Sequence, residues 1–443
     1  MLEVEEIPLD IEEGSTFTFT KSIGSKVNTV THAIHDYPAK FIKEFPKFGI
    51  KYSGINKGLL FDPFNGSGTS LLESKLAGID AIGLDINPLS KLITEAKVKI
   101  TNQKELEMVE SDGLRIVECA LDLPIPDLTQ QDDDVDIMEN YNFWFPIECI
   151  QDLIRLKRAI VGSELISKYS ESFYLTILSS IVKKVSYWKK GQIKVRKDEE
   201  KFKKSGIPST IEVFKEHSEE GHLLIKKLIS SLDGVENSTQ DVIIGTATEI
   251  APDEIDLIVT SPPYINAIDY TMNHKFSLFV LNLISTNKFK DHCREYIGVT
   301  ERAVRKIERD QVCMFESKDG KQLEEVFKEI NSLNDNIGVD GSDTSKIRQY
   351  ITYTYFRDMH KSICLWYERL KPGGLCMIVV GPNNIRGVEV PTHELIRDLM
   401  SLEGFEIELT FFHSIHSRSL QSGRNTNAGI IDDEMVIVAR KPS

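Results

Sequence analysis

The sequence predicts a doubly wound α/β sheet of seven strands, interrupted by two helical insertions. Three observations predict this fold class. Short apolar runs alternate with amphipathic helical patterns, as in βαβ units with parallel strands. A glycine-rich segment joins the first apolar run to its helix. Two long charged stretches with helical periodicity separate the strands, and structureless loops of that length are uncommon in folded domains.

The first two strands form one βαβ unit. The first strand reads GLLF at 58–61 and is followed by the glycine-rich segment DPFNGSGTS at 62–70. An amphipathic helix then leads directly to a second strand, DAIGLDI, at 80–86. Because a helix connects two strands within so short a stretch, we expect the strands to be parallel.

Five further strands complete the predicted sheet. They are DVIIGTA, DLIVTS, LCMIVVG, FEIELTFFHSI and EMVIVARK. A helix precedes the third of them, and we expect Gly373–Gly374 to end that helix. We expect the last two to be closing strands of the sheet that pair antiparallel.

Composition restricts the class of protein. Apolar residues make up 41% of the chain and charged residues 27%, which is typical of soluble globular proteins. The N-terminal segment MLEVEEIPLD lacks the pattern of a secretory signal, and no apolar run approaches the roughly 20 residues of a membrane helix. Six scattered cysteines form no C-x-x-C pair. We predict a cytoplasmic protein without membrane contact and without a metal site.

One basic segment contrasts with the net charge of −15. Residues 183–204 contain ten Lys or Arg against three Asp or Glu, with Tyr187 and Trp188 among them. A polyanion responds to the local surface and not to the charge of the whole chain. The segment is either a solvated loop or a nucleic-acid contact, and its composition alone does not separate the two.

The glycine-rich segment departs from two common nucleotide-binding motifs. A P-loop requires Lys after its last glycine, where Thr69 stands. The dinucleotide fingerprint requires glycine at the position of Leu71. The segment nevertheless lies at the carboxyl end of a strand, where open α/β sheets bind ligands.

A third interpretation is a ligand without phosphates. Asp62 and Asp85 end the two strands of the βαβ unit, and a carboxylate at the position of Asp85 can accept hydrogen bonds from both hydroxyls of a ribose. S-adenosylmethionine has a ribose and a sulfonium cation, and it has no phosphate. The sequence therefore favours S-adenosylmethionine as the cofactor.

Four motifs together resemble a known family. DPFNGSGT (62–69), GLDINP (83–88) and SPPY (261–264) resemble the S-adenosylmethionine-dependent DNA amino-methyltransferases, which make N4-methylcytosine and N6-methyladenine. HDYPAKF (35–41) is similar to a further cofactor-binding motif of that family. The likeness covers roughly 32–100 and 241–441, and it implies a Rossmann-like methyltransferase sheet.

The resemblance also implies roles for individual residues. The catalytic tetrapeptide is Ser261, Pro262, Pro263 and Tyr264. The cofactor-binding residues are Tyr37, Lys40, Phe41, Asp62, Pro63, Phe64, Gly66, Gly68, Thr69, Asp85, Ile86 and Asn87. Many relatives carry an acidic residue after the third strand, where this chain has Thr246. We therefore assign no adenine ligand there.

The tetrapeptide suits transfer to an exocyclic amine. The lone pair of such an amine is delocalised into the base, so acceptors for its N–H groups are needed to make it nucleophilic. The Ser261 hydroxyl and the Pro262 carbonyl can accept these hydrogen bonds, and the prolines fix the backbone. Tyr264 offers a ring face to a flipped base. Methylation at C5 of cytosine would require a Pro-Cys pair, which the sequence lacks.

The leading hypothesis is a site-specific DNA methyltransferase that prefers cytosine N4 to adenine N6. In this hypothesis the enzyme is part of a restriction–modification or related defence system, and its partners are double-stranded DNA and a cognate restriction endonuclease. An RNA or tRNA amino-methyltransferase and a non-catalytic nucleic-acid-binding module are the alternatives. The predicted phosphate contacts are Lys189, Lys190, Lys194, Arg196 and Lys197, with Arg302, Arg305 and Arg309 as a second surface.

The predicted division of the chain follows these motifs. Residues 1–100 form the cofactor-binding half of the methyltransferase domain, 236–284 carry its catalytic segment, and 346–443 complete it. Residues 101–235 are a mainly helical insertion and a candidate DNA-recognition subdomain. Residues 285–345 are a second, charged helical insertion.

Overall fold

The structure is a computed structural model. It describes residues 2–20, 30–38, 41–128, 141–162, 167–189, 196–200, 206–265, 270–299, 301, 303–309, 311, 313–317, 322–415 and 432–443.

The described residues contain eleven strands. In chain order they are β1 (Leu2–Val4), β2 (Thr16–Phe19), β3 (Leu59–Asp62), β4 (Asp80–Asp85), β5 (Gln240–Ile244), β6 (Ile255–Thr260), β7 (Leu370–Val380), β8 (Asn383–Ile385), β9 (Val388–Val390), β10 (Glu406–Ser414) and β11 (Asp433–Arg440). Nine of them form one sheet in the order β1-β2-β10-β11-β7-β6-β3-β4-β5, and β8 and β9 form a separate hairpin.

The predicted fold class is confirmed. All seven predicted strands are present, and β3, β4, β5, β6 and β7 pair in parallel. The closing strands β10 and β11 form the expected antiparallel pair, and β11 also pairs antiparallel with β7. The sheet is therefore mixed, with a parallel part that contains the βαβ unit and an antiparallel part at the C-terminal strands.

Two details of the sequence prediction are wrong. Strands β1 and β2 extend the sheet beyond β10 and were not predicted, because three and four residues are too few to show a strand period. The helix that precedes β7 ends at Arg369, before Gly373–Gly374. The two glycines lie inside β7 at an irregularity of its pairing with β6, and Gly373 has a φ of +77°. Their conformational freedom allows the chain to form a bulge in β7.

A short 3₁₀-helix spans Val30–Ile34. The α-helices of the described residues are α1 (Glu44–Ser53), α2 (Thr69–Leu76), α3 (Pro88–Val98), α4 (Gln103–Asp122), α5 (Tyr141–Trp144), α6 (Ile147–Val161), α7 (Lys168–Val182), α8 (Thr210–Ser231), α9 (Tyr270–Val280), α10 (Phe289–His292), α11 (Lys306–Arg309), α12 (Glu325–Gly338), α13 (Asp343–Arg369) and α14 (Thr392–Leu402). Helices α4 to α8 fall within 101–235, and α10 to α12 fall within 285–345. The limits of the predicted segments remain predictions. Among the helices described, none combines the length and the hydropathy that crossing a membrane requires.

The sheet is buried on both faces, because successive side chains of a strand point to opposite sides. Leu60 and Leu257 belong to the apolar core on one face, whereas Phe61 and Ile258 belong to the core on the other. A third core joins the helices of the first insertion to Phe276 of α9. Helix α9 therefore links that insertion to the chain that leaves the catalytic segment.

Candidate active site

A cavity lies at the carboxyl ends of β3, β4, β5 and β6. Its volume is about 830 Å³, which includes the part open to solvent. Its walls come from the glycine-rich segment, the ends of β4 and β5, the tetrapeptide and the second insertion. The lining residues are Tyr37, Phe41, Pro63, Phe64, Asn65, Gly66, Ser67, Thr69, Asp85, Ile86, Gly245, Thr246, Ala247, Ser261, Pro263, Glu295, Tyr296 and Ile297.

The glycine-rich segment turns sharply between β3 and α2. Gly66 and Gly68 have φ values of +51° and +73°, which favour glycine. A Cβ atom on Gly68 would lie 2.3 Å from Oγ1 of Thr94, so no side chain fits there. The Gly66 N–H donates to Oδ2 of Asp85 over 2.7 Å, which joins the turn to the end of β4. Gly68 does not line the cavity, and its contribution is to allow the backbone conformation of the turn.

Asp85 lies on the cavity wall, as its predicted role requires. Its two carboxylate oxygens accept backbone N–H groups from Gly66, over 2.7 Å, and from Asn87, over 2.8 Å. Burial raises the pKa of Asp85 to about 7, because it disfavours the charged form, and the two backbone donors oppose that effect. The carboxylate is thus held in a fixed orientation beside the cavity.

Asp62 is buried and is not among the lining residues. Its Oδ1 accepts from the Phe64 N–H over 3.1 Å and from the Thr260 hydroxyl over 2.7 Å. Burial raises the pKa of Asp62 to about 6. The carboxylate ties the end of β6 to the start of the glycine-rich segment. It therefore supports the cavity wall from behind.

Asn87 is also buried and does not line the cavity. Its Oδ1 accepts from the Leu89 N–H over 3.0 Å and caps α3, which is a common task for asparagine before a helix. Its Nδ2 donates to Nδ1 of His274 over 2.9 Å. The His274 ring in turn meets the Tyr37 ring edge-on at 4.5 Å.

These contacts place Tyr37 above the glycine-rich segment. A Cβ atom on Gly66 would lie 3.4 Å from the Tyr37 ring, so the ring rests against that glycine. His274 is buried, and burial lowers its pKa well below the usual value, so the ring is neutral. No sequence motif identified His274. Its position becomes evident only when α9 packs against α3, the helix that follows β4.

The tetrapeptide follows β6 directly. Ser261 and Pro263 line the cavity, whereas Pro262 is buried behind them. The Tyr264 hydroxyl donates to Oε1 of Glu434 over 2.5 Å, and Tyr264 does not line the cavity. The next carbonyl, that of Ile265, accepts from the side chain of Asn383. The structure therefore brings two of the four predicted catalytic residues to the same cavity as Asp85.

Several lining residues were not predicted. Asn65 and Ser67 belong to the predicted glycine-rich segment, so the motif itself contained the signal. Thr246 lies on the wall without an acidic side chain. Glu295 comes from the second insertion, where no motif points to the cavity.

The charge of the cavity wall restricts its ligand. Asp85 and Glu295 are carboxylic acids, and no Lys, Arg or His stands among the described residues that line the cavity. A wall of this kind suits a cation and disfavours the phosphates of a nucleotide. Backbone at Gly66 and apolar side chains at Phe64 and Ile86 offer contacts for a ribose and a purine. The residues present therefore fit S-adenosylmethionine, whose sulfonium is positively charged.

The basic segment folds back on itself. The Lys189 N–H donates to the Arg196 carbonyl over 2.9 Å, and Trp188 and Lys197 form an antiparallel bridge. The Lys197 ammonium lies 4.4 Å from the centre of the Phe143 ring. We call residues 187–189 and 196–198 the basic hairpin.

The basic hairpin packs against α9. The Trp188 ring lies 5.3 Å from the ring of Phe276, edge-on, and Trp144 contacts the same ring at 5.3 Å. Because α9 also carries His274, this hairpin lies on the helix that supports the cavity wall. Lys40, Lys190, Lys194 and Arg302 fall outside the described residues.

The second predicted phosphate-binding surface is already engaged within the chain. The Arg309 guanidinium binds Asp343 over 2.6 Å, and only 19% of its side chain is exposed. Arg305 is more exposed and lies 3.8 Å from Asp291. These ion pairs reduce the charge that the two arginines can offer to a phosphate.

One group of potential metal ligands occurs among the described residues. Side-chain atoms of His360, Cys364 and Glu403 lie within 4.8 Å of one another. Nε2 of His360 and Oε1 of Glu403 are 2.6 Å apart and form a hydrogen bond with each other. None of the three lines the cavity.

Comparison with known proteins identifies methyltransferases. No family model matches the chain. The chain is 24% identical over 422 residues to the Type II methyltransferase M.MvaI of Kocuria varians, a match covering 90% of this chain and 87% of that protein. It is 26% identical over 361 residues to the Type II methyltransferase M.BsoBI of Geobacillus stearothermophilus, covering 74% and 65% respectively. The Type II methyltransferase M.AvaI of Nostoc sp. is 25% identical over 279 residues, with 59% of this chain and 52% of that protein covered.

These similarities confirm the predicted resemblance to the DNA methyltransferases. They also imply S-adenosylmethionine as the methyl donor, in agreement with the sequence prediction.

Proposed function

We propose that this chain, which is similar over most of its length to Type II methyltransferases, is a site-specific DNA methyltransferase acting on an exocyclic amine. The target in this proposal is a flipped base in double-stranded DNA, with cytosine N4 preferred to adenine N6. The supporting observation is that Ser261 and Pro263 line the same cavity as Asp85 and the glycine-rich segment. A base that enters beside Ser261 therefore lies next to the cofactor.

The cofactor supplies an electrophilic methyl group on its sulfonium. Asp85 would accept hydrogen bonds from the two ribose hydroxyls, and Tyr37 and Phe41 of the HDYPAKF motif would cover the ligand. Asp62 and Asn87 would hold the walls through the contacts described above. The acidic wall attracts a cation, so it favours binding of the positively charged sulfonium.

The tetrapeptide would activate the amine. The Ser261 hydroxyl and the Pro262 carbonyl would each accept one N–H of the base. These acceptors localise the nitrogen lone pair and orient it toward the methyl group. Orientation in a preorganised site supplies most of the rate, and no covalent nucleophile is needed.

The preference for cytosine N4 depends on the serine at the first position of the tetrapeptide. Within the family that the motifs resemble, the serine form is most often found in cytosine N4 enzymes. Adenine N6 is the second candidate. The relatives carry Type II in their names, which supports a role in a restriction–modification system with a cognate endonuclease as partner.

Identification of the methylated nucleoside tests the proposal. The full chain is incubated with labelled S-adenosylmethionine and either duplex DNA or tRNA, and the polymer is digested to nucleosides for mass analysis. We expect N4-methylcytosine from DNA. N6-methyladenine would overturn only the choice of base, and methylated tRNA would favour an RNA enzyme. Cofactor binding without transfer to either polymer would favour a non-catalytic binding module.

The basic hairpin gives a separate prediction about DNA. Replacing Lys189, Arg196 and Lys197 with Gln should weaken binding to duplex DNA about tenfold or more at low salt. The slope of log affinity against log salt should fall by about 2 to 3, because each lost phosphate contact removes about 0.9 from that slope. Fluorescence anisotropy over a salt series measures both quantities.

The matched control is Arg305→Gln with Arg309→Gln, because both arginines are engaged in ion pairs. We expect this double variant to change the salt slope by less than the hairpin variant does. Equal slopes for the wild type and the hairpin variant would contradict the prediction.

A further inference from the structure

The tetrapeptide is tied to the last strand of the sheet. The Tyr264 hydroxyl donates to Oε1 of Glu434 over 2.5 Å. The second oxygen, Oε2, lies 3.3 Å from Nδ1 of His413. One carboxylate thus joins the catalytic segment to a histidine on β10.

The topology of the sheet explains why Glu434 can reach the tetrapeptide. Strand β11 is antiparallel to β7, so it begins at the edge where the parallel strands end. Glu434 is the second residue of β11 and lies directly opposite His413 on β10. Residues at the start of β11 are therefore at the ligand-binding edge, although no motif marks them in the sequence.

The histidine end of this contact is rigid. His413 is buried, and three aromatic rings surround it at centroid distances of 5.4 Å for Phe17, 5.0 Å for Phe19 and 5.5 Å for Phe45. Two of these rings come from β2, the strand that the sequence did not predict. The imidazole has little freedom to move, so it fixes the orientation of the Glu434 carboxylate.

We propose that Glu434 is a positioning residue for the transfer reaction: it fixes the plane of the Tyr264 ring where the target base stacks. This inference rests on the proposed function, because it assumes a flipped base at the tetrapeptide. A hydrogen bond between a hydroxyl and a carboxylate is short and stronger than a neutral one. It adds a fixed point at the hydroxyl end of a ring that also packs against the apolar core. Glu434 itself touches neither the base nor the cofactor in this account.

A double-mutant cycle tests the inference. Tyr264→Phe removes the hydroxyl and keeps the ring, and Glu434→Ala removes the acceptor. We expect each variant to lower kcat about tenfold, with little change in the dissociation constant for S-adenosylmethionine. The double variant should be no slower than Glu434→Ala, because both changes break one contact. Glu434→Gln keeps an acceptor oxygen and should recover most of the lost turnover.

Glu408→Ala is the matched control. Glu408 lies on β10 and pairs with Arg440. We expect wild-type turnover from this variant. A thermal melt of each variant establishes that it is folded before kcat is compared.

The outcomes separate the two proposals. Full turnover in Glu434→Ala, or losses that add in the double variant, would overturn the positioning role while the proposed function stands. Failure of the wild type to methylate DNA would overturn the proposed function, and the positioning role with it. Rescue by Glu434→Gln with a non-additive cycle would support the inference, since general destabilisation predicts neither.

Discussion

Replacing Asp85 with Asn is expected to weaken the binding of S-adenosylmethionine about 100-fold. Asp85 is the carboxylate at the end of β4 that lines the cavity, and both of its oxygens accept backbone N–H groups. An asparagine keeps only one acceptor oxygen and turns its NH₂ toward one of those donors. Hydrogen bonds to a charged group contribute about 1.5–3 kcal/mol each, so losing the charge and disturbing the turn at Gly66 accounts for the expected loss.

The same carboxylate makes cofactor binding depend on pH. Burial raises the pKa of Asp85 to about 7. In the free protein, Asp85 is therefore increasingly protonated as the pH falls below 7. A ligand that needs the charged form must displace this proton, so its affinity should fall about tenfold for each pH unit below 7. Binding at pH 6.5 should release a proton into the buffer.

Isothermal titration calorimetry in buffers of different ionisation enthalpy measures both the affinity and the proton release. Asp241→Asn is the matched control, because Asp241 is an exposed carboxylate on the neighbouring strand β5 that pairs with Lys99. The control should retain the wild-type pH dependence, whereas Asp85→Asn should lose most of it. Unchanged affinity from pH 5.5 to 8 in the wild type would contradict the assignment of Asp85.

The sequence predicts the parallel part of the sheet because its strands are short, continuous apolar runs with turn residues at both ends. Such strands are buried on both faces and do not depend on a distant partner for their pattern. Strand β2 is different. It pairs with β10, almost 400 residues later, and Phe17 becomes a core residue only through that pairing. A four-residue segment contains too little periodicity to predict such a contact.

The residues of the candidate site likewise fall into those that a local motif predicts and those that depend on distant contacts. Local motifs place Asp85, the glycine-rich segment and Ser261 correctly at one edge, because each of them ends a strand of a parallel sheet. Motifs do not distinguish a wall residue from a supporting one. Asp62 lies behind the cavity wall, where its carboxylate accepts hydrogen bonds from the Thr260 hydroxyl and from a backbone N–H group. Contacts between distant segments, such as that of Glu434, have no local signal.

Helix α9 is one of the elements that join the first insertion to the site. Helix α9 follows the tetrapeptide, carries His274 beneath Tyr37, and presents Phe276 to the basic hairpin. The basic hairpin and the cavity wall are therefore in contact with the same helix.

Ser261→Ala is expected to lower kcat about 100-fold while leaving the dissociation constant for S-adenosylmethionine within about threefold of the wild-type value. Ser261 lines the cavity at the end of β6, and its hydroxyl is the side-chain acceptor that the proposed chemistry gives to the amine. An acceptor of this kind acts as the nitrogen becomes tetrahedral, so its loss affects the transition state more than the bound cofactor. Hydrogen-bond groups placed in this way contribute about 10²–10³ in kcat in other enzymes.

Single-turnover methyl transfer to duplex DNA measures this effect, and equilibrium binding of the cofactor provides the second quantity. Ser285→Ala is the matched control, because Ser285 is a serine of the described chain whose hydroxyl bonds to Asn287 and does not line the cavity. The control should transfer methyl groups at the wild-type rate. Loss of cofactor binding in Ser261→Ala would show a structural role for the hydroxyl. Undiminished transfer would leave the Pro262 carbonyl as the acceptor that activates the amine and would contradict the role proposed for Ser261.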